Sequence, residues 1–165
     1  MLTVRCTRKL LKHLHVDGLD GGAVTTRLGD WYGNLLFTRN LRLVICVSER
    51  SLLPVFVEAK EFSTFSTRFR AAVRLVLECV GVSTNSIEKE LREMLTIAIG
   101  TTKSRSVLGS LNELSFRARY SMERWTQRDL TALANEIADT PCSALKYETP
   151  KSMTLALLRD RSDDA

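Results

Sequence analysis

A change of hydrophobic period at Phe62 constrains this chain more than any other feature. Before it, apolar residues run in short β-rich stretches at 35–37, 41–47 and 52–57. After it they recur at steps of three and four residues, which places them on one face of a helix. That stripe comprises Phe62, Phe65, Phe69, Val73, Val76, Leu77 and Val80. Strands followed by long amphipathic helices indicate an α+β fold.

The β-rich stretches predict a small, mostly antiparallel sheet in the form of a meander. The first two stretches form a hairpin with its turn at Arg39-Asn40. Pro54 cannot donate a ladder hydrogen bond, so the third strand is expected at an edge or at a bulge. Two further strands are predicted, one at residues 2–6 and one at 95–100. Amphipathic helices should cover this sheet.

Several helices are expected outside the central stripe. Thr7 should cap a short helix, and a longer one should run from Val107 to Trp125. Two C-terminal helices are predicted, one opened by a capping box at residues 126–129 and one by Thr149-Pro150. We expect an α+β domain over residues 1–125 and a helical extension over 126–165. The extension either packs on the same domain or serves as a docking arm.

The segment 101–112 joins the predicted strand to the long helix and carries unusual charges. Lys103 and Arg105 stand where the helix begins, although free N–H groups already make a helix N-terminus electropositive. A phosphate or carboxylate would supply the missing negative charge. The sequence therefore predicts an anion-binding loop formed by Thr102, Lys103, Ser104, Arg105, Ser106 and Asn112. In the alternative interpretation, polar contacts of Arg105, Ser110 and Asn112 lock the loop against the sheet.

This segment is not the phosphate loop of a nucleoside triphosphatase. That motif needs a glycine directly before its lysine, and Thr102 stands before Lys103. Gly109 follows the cations instead of preceding them. We therefore exclude triphosphate hydrolysis by a loop of this class.

The net charge of +5 and a pI of about 9.2 favour an acidic partner. Trp31 lies beside Tyr32 and Gly33-Asn34, so it could stack on a nucleobase or pack a strand against the core. Arg68 and Arg74 fall off the apolar stripe, and could grip phosphates or form a solvated polar face. With Arg117, these are the predicted partner-binding residues.

Motifs for catalysis, metals and cofactors are missing from the sequence. There is no H-E-x-x-H, no G-x-S-x-G and no C-x-x-C. His13 and His15 should point in different directions on a helix, and Cys6, a conceivable partner of His13, should face inward. We predict no catalytic residue, no metal site and no cofactor. Without an apolar window of about 20 residues or a secretory signal, the expected location is the cytoplasm.

Three motifs resemble an uncharacterised bacterial family, a domain of unknown function. They are Arg5-Cys6-Thr7-Arg8-Lys9-Leu10-Leu11-Lys12, Trp31-Tyr32-Gly33-Asn34-Leu35-Leu36 and Arg105-Ser106-Val107-Leu108-Gly109-Ser110-Leu111-Asn112. The resemblance spans roughly residues 1–125. It implies a bacterial cytosolic α+β domain without catalytic residues, and it suggests genes carried on plasmids and other mobile elements.

These observations lead to one functional hypothesis and two alternatives. The first is a non-catalytic cytosolic binding or regulatory module that engages nucleic acid or an acidic protein surface, in mobile-element, toxin–antitoxin or defence-related work. The second is a small enzyme that holds a phosphorylated substrate with the 101–112 loop. The third is a structural homodimer built on the C-terminal helices.

Overall fold

The computed structural model describes residues 1–38, 40–126 and 129–160. Within these ranges the strands are β1 (Leu2–Cys6), β2 (Trp31–Phe37), β3 (Arg42–Ser48), β4 (Pro54–Glu58) and β5 (Ile97–Thr101). The helices are α1 (Arg8–Leu14), α2 (Phe65–Val80), α3 (Thr84–Glu93), α4 (Arg105–Glu123), α5 (Leu130–Ala138) and α6 (Pro150–Leu158). The predicted α+β fold is confirmed.

The five strands form one mixed sheet in the order β4-β3-β2-β1-β5. β2, β3 and β4 are an antiparallel meander, whereas β1 runs parallel to both β2 and β5. The expectation of a mostly antiparallel sheet is therefore wrong. A hydrophobic period of two marks a strand but carries no information about the direction of its neighbour. The long connection through α1 lets the chain return and run parallel to β1.

Most local signals act where the sequence places them. Pro54 opens β4 at the edge of the sheet, Gly81 ends α2 at a φ of 93°, and Ser104 caps α4. Asp129 caps α5 with its own side chain, in place of a box that begins at Thr126. Gln127 and Arg128 of that box lie outside the described residues, as does Arg39 of the predicted hairpin turn.

The sheet is covered on both faces, and the two faces can be distinguished along β2. Trp31 meets Phe69 of α2 edge-on at 5.3 Å between ring centroids, and Gly33 lies against Leu10 of α1. On the opposite face the Tyr32 hydroxyl accepts a hydrogen bond from the Ser104 N–H at 3.1 Å, at the start of α4. Alternate residues of a strand point to opposite faces, so α1 and α2 lie on one side and α4 on the other.

The C-terminal helices belong to the same hydrophobic core. The buried apolar residues of α5 and α6 are Leu133, Ala134, Ile137, Ala138 and Leu158, and they join the core cluster of the strands. α5 packs against β4, α2 and α4. The apolar face that suggested a docking arm is thus buried within the domain.

A buried ion pair connects the three parallel strands. Arg5 is 8% exposed and Asp30 is 2% exposed. Arg5 Nε donates to Asp30 Oδ2 at 2.8 Å, and Arg5 Nη2 lies 2.8 Å from the same oxygen. The Thr3 N–H donates to Asp30 Oδ1 at 2.8 Å. Arg5 Nη1 also donates to the Thr101 carbonyl at 3.2 Å. Asp30 precedes β2 and Thr101 ends β5, so Arg5 of β1 bonds to both neighbours.

A glycine loop, defined as residues 17–24, packs directly on β1 and β5. The Leu19 N–H donates to the Ile99 carbonyl at 2.9 Å, at the free side of β5. A Cβ atom at Gly21 would lie 1.9 Å from Thr3 Oγ1, so a side chain there would collide with β1. The loop covers one face of β1, and this strand is consequently buried along its whole length.

We predict that Asp30→Ala lowers the free energy of unfolding by about 3–5 kcal/mol, because it leaves the Arg5 guanidinium buried without a counter-charge. Urea unfolding measures this change. The matched control is Asp20→Ala, which removes an exposed carboxylate paired with Lys103 and should cost less than about 1 kcal/mol. Equal losses in the two variants would contradict a structural role for the Arg5–Asp30 pair.

Candidate functional site

β2, β1 and β5 run parallel, so their carboxyl ends point to the same edge of the sheet. β1 and β5 end opposite each other at Cys6 and Thr101, and β2 continues four residues past Gly33, the partner of Cys6, to Phe37. Phe37 ends β2, Thr7 follows β1, and Lys103 comes shortly after β5. The helices that follow β1 and β5 leave to opposite faces. In open sheets, ligand sites form at this edge, where consecutive connections diverge.

Cations from α1 and β3 surround an exposed ring at this edge. Phe37 is 39% exposed, and the Lys9 Nζ lies 4.9 Å from its ring centroid. Arg42 faces Phe37 across the β2–β3 ladder, with its Cζ 5.9 Å from the same centroid. His13 approaches edge-on at 6.5 Å between ring centroids. α1 carries four basic residues, Arg8, Lys9, Lys12 and His13, and no acidic one.

The predicted anion-binding loop lies at the end of β5, and its polar groups are partly engaged within the chain. The Ser104 hydroxyl accepts the Val107 N–H at 3.2 Å, as an N-cap does. Lys103 Nζ lies 3.2 Å from Asp20 Oδ1 of the glycine loop, and both side chains are exposed. Arg105 and Ser106 are exposed at the first turn of α4. Exposed pairs such as Lys103–Asp20 are weak, so a polyanion can compete for the lysine.

The structure brings together only part of the predicted anion site. Thr102, Lys103, Ser104, Arg105 and Ser106 are consecutive at the turn into α4. Asn112 is exposed on the same side of α4 as Arg105, but about 10 Å further along the helix axis. A single small anion cannot contact both ends of this set.

Trp31 is a core residue, which corrects its assignment to a partner-binding surface. It is 0% exposed and is held between β1 and the Phe69 ring. Its indole cannot stack on a ligand without unfolding of the sheet. The alternative interpretation of the sequence, that this aromatic packs a strand against the core, describes its place.

The three predicted partner-binding arginines are bound to the chain itself. Arg68 donates to the Glu61 carbonyl at 3.1 Å and to the Thr64 hydroxyl at 3.0 Å, and so holds the turn before α2. Arg74 pairs with Glu88 at 2.5 Å, and this hydrogen bond lowers the pKa of Glu88. Arg117 pairs with Glu113 at 2.7 Å along α4. α2 and α4 lie on opposite faces of the sheet, so these arginines do not form one patch.

Sequence reasoning did not identify the Phe37 cluster or a cleft beside it. The cleft has a volume of about 700 Å³ and lies between the β2–β3 hairpin and the end of α4. It is lined by Phe37, Thr38, Asn40, Leu41, Arg119, Met122, Glu123 and Trp125. The pairing of Phe37 with Arg42 could have been predicted from the register of the β2–β3 hairpin. The approach of α4 depends on the tertiary fold and leaves no local signal.

The buried cysteines are poor candidates for nucleophilic chemistry. Burial raises the pKa of Cys6 to about 12 and that of Cys46 well above its usual value. The thiolate is the reactive form, so both groups stay protonated and inert at neutral pH. Within residues 1–38, 40–126 and 129–160, no three His, Cys, Asp or Glu side chains are grouped to hold a metal ion. In the same ranges no helix combines the length and apolarity needed to cross a membrane.

We predict that one thiol of the native protein reacts rapidly with a disulfide reagent at pH 8. Cys79 is exposed, whereas Cys6, Cys46 and Cys142 are buried. Cys79→Ser should remove the fast phase, and unfolding in urea should restore reactivity to the other three thiols. A second fast thiol in native Cys79→Ser protein would show that a buried cysteine is accessible and activated.

Comparison with known proteins gives one match. The sequence model of a family described as "Domain of unknown function (DUF6933)" matches residues 3–153. The match continues past residue 125, through α5 and into α6. No curated protein and no solved structure matches this chain.

Proposed function

The chain belongs to the family described as a domain of unknown function, DUF6933, and we propose that it is a non-catalytic module that binds an acidic macromolecule. The proposal is carried by one observation, which is that cations follow the carboxyl ends of parallel strands that point to the same edge of the sheet. We call this surface the cationic edge, and its members are Arg8, Lys9, Lys12, Arg42, Lys103 and Arg105.

The direction of the strands supports the cationic edge. β2, β1 and β5 are parallel neighbours in the sheet, and their carboxyl ends point the same way, with β2 continuing four residues past the end of β1. Arg42 faces the end of β2, the α1 cations follow β1, and Lys103 follows β5. Charges that are far apart in sequence therefore belong to the same edge of the sheet.

The charge balance favours attraction of a polyanion over distance. The chain carries a net charge of +5, and α1 contributes Arg8, Lys9 and Lys12 with no acidic residue between them. Such a field raises the association rate of an acidic partner. The acidic residue that contacts the cationic edge is Asp20, through its exposed pair with Lys103.

The 101–112 loop extends the cationic edge to the start of α4. The Ser104 hydroxyl and N–H are occupied by Val107 and Tyr32, so Arg105 and Ser106 present the exposed polar groups of this turn. The unpaired N–H groups of the helix add partial positive charge to them. A phosphate or carboxylate of the partner would bind there, next to Lys103.

Nucleic acid is the foremost candidate for the partner, and an acidic protein surface is the other. An exposed aromatic ring between cations, as at Phe37, suits a base as well as a phosphate chain. A cytoplasmic regulatory role, such as that of an antitoxin or a defence factor carried on a mobile element, would use this kind of surface. That assignment rests on analogy, whereas the binding itself rests on the cationic edge.

We predict that Lys9→Gln with Arg42→Gln weakens binding to a single-stranded oligonucleotide and flattens its salt dependence. Each lost phosphate contact should reduce the slope of log K against log salt by about 0.7, so the pair should reduce it by about 1.4. Fluorescence anisotropy between about 50 and 200 mM salt measures both effects.

The matched control is Lys60→Gln with Arg74→Gln, which removes the same charge from side chains already paired with Glu58 and Glu88. It should leave the slope nearly unchanged. Equal slopes for the two double variants would mean that net charge, and not the cationic edge, attracts the partner. A wild-type protein that binds no polyanion at low salt would overturn the proposal.

A second prediction concerns the loop at the start of α4. Lys103→Gln with Arg105→Gln should weaken polyanion binding while the thermal midpoint of unfolding stays unchanged, because both side chains are exposed and their one pair is weak. Calorimetry and anisotropy on the same samples separate the two effects. A lower midpoint with unchanged binding would show that the cations serve the loop structure alone.

A further inference from the structure

The outer surface of α4 exposes two aromatic rings. Phe116 is 71% exposed and Tyr120 is 56% exposed. They are four residues apart, so they lie next to each other along the helix. Buried residues of α4, such as Leu111, Leu114 and Ala118, face the sheet on its opposite side. Single exposed apolar residues are common, whereas two adjacent exposed rings are typical of an interaction surface. We call Phe116, Arg119, Tyr120 and Arg124 the ridge of α4.

Arginines are interleaved with these rings. The segment 116–124 has the sequence Phe-Arg-Ala-Arg-Tyr-Ser-Met-Glu-Arg. The Arg124 Cζ lies 4.3 Å from the centroid of the Tyr120 ring, a cation–π distance. Arg119 is exposed on the side of α4 that faces the hairpin. Cations next to exposed rings are the combination that single-stranded nucleic acid requires, since bases stack and phosphates pair.

The ridge lies between two clefts. On one side is the cleft of about 700 Å³ that Arg119 and Trp125 line together with the hairpin. On the other is a cleft of about 290 Å³ at the contact of α4 with α5, and Phe116, Tyr120 and Arg124 contribute to it. Glu123 lines the first cleft and Glu136 the second, so each also holds one carboxylate.

The composition of the ridge argues against a helical protein partner. A helix that docks into a groove uses apolar residues at steps of three, four and seven. The exposed residues of α4 are Arg105, Ser106, Gly109, Asn112, Glu113, Phe116, Arg119, Tyr120 and Glu123, among which no aliphatic residue occurs. Duplex nucleic acid is also disfavoured, because its bases are paired inside the helix and cannot stack on the rings.

We infer that α4 binds single-stranded nucleic acid, with unpaired bases stacked on Phe116 and Tyr120 and the phosphates paired with Arg119 and Arg124. This inference rests on the proposed binding of an acidic macromolecule and specifies its partner. The cationic edge attracts any polyanion. The ridge adds affinity that depends on the presence of bases.

The test uses a double variant that carries both Phe116→Leu and Tyr120→Leu. Its control is the single variant Tyr147→Leu. Tyr147 is an exposed tyrosine between α5 and α6, so its variant removes a ring of the same kind that does not belong to α4. Neither variant changes charge, and both should keep the wild-type melting temperature because the rings are exposed. The probes are oligo(dT), oligo(U) and heparin, which carries sulfates but no bases.

The double variant should bind oligo(dT) or oligo(U) roughly tenfold or more weakly, as expected when base stacking is lost, and should bind heparin as well as wild type does. Tyr147→Leu should match wild type with every probe.

Two results would overturn the inference, and they differ from failure of the broader proposal. If the double variant binds the oligonucleotides as tightly as wild type does, the rings do not stack on bases. The same conclusion follows if its affinity for heparin falls as much as its affinity for the oligonucleotides. If polyglutamate competes as well as either oligonucleotide, the partner is an acidic protein. Wild-type protein that binds neither heparin nor oligonucleotide removes both the inference and the cationic edge.

Discussion

The position of β1 between two parallel neighbours determines the rest of the structure, and the buried Arg5–Asp30 pair secures it. Two charges taken out of water cost several kcal/mol each, so the pair is stable only if its hydrogen bonds are satisfied. Asp30 accepts from Arg5 and from the Thr3 N–H, while Arg5 also donates to the Thr101 carbonyl. These bonds are directional, and they hold the start of β2 and the end of β5 in register with β1.

That register creates the surface on which the functional proposals depend. Had β1 paired antiparallel with β2, the α1 cations and Phe37 would lie at opposite edges of the sheet. In the observed arrangement Lys9 and Arg42 reach the same ring, although they come from segments that are distant in sequence. α4, which begins at the Tyr32 hydroxyl and ends beside the hairpin, then places its arginines and rings near the same end of β2.

Local structure was predictable because its causes are local. Gly81 ends α2, Ser104 caps α4 and Pro54 opens an edge strand, each through the backbone chemistry of one residue. Strand direction was not predictable, since alternation is identical in parallel and antiparallel pairs. The Phe37 cluster was missed for a related reason, because its assembly depends on the tertiary fold. Trp31 and Phe37 both belong to β2 and are both aromatic, yet only the packing of α2 over the sheet decides which ring is buried.

The contact between the glycine loop and β1 has a consequence for how the family can change. Because the backbone at Gly21 touches the Thr3 side chain, these two positions share one small volume. A larger residue at position 21 requires a smaller one at position 3 or a shift of the whole loop. Substitutions at these two positions are therefore expected to occur together. Gly109 of α4 differs, because a Cβ atom there would meet no atom within 4 Å and this position can change by itself.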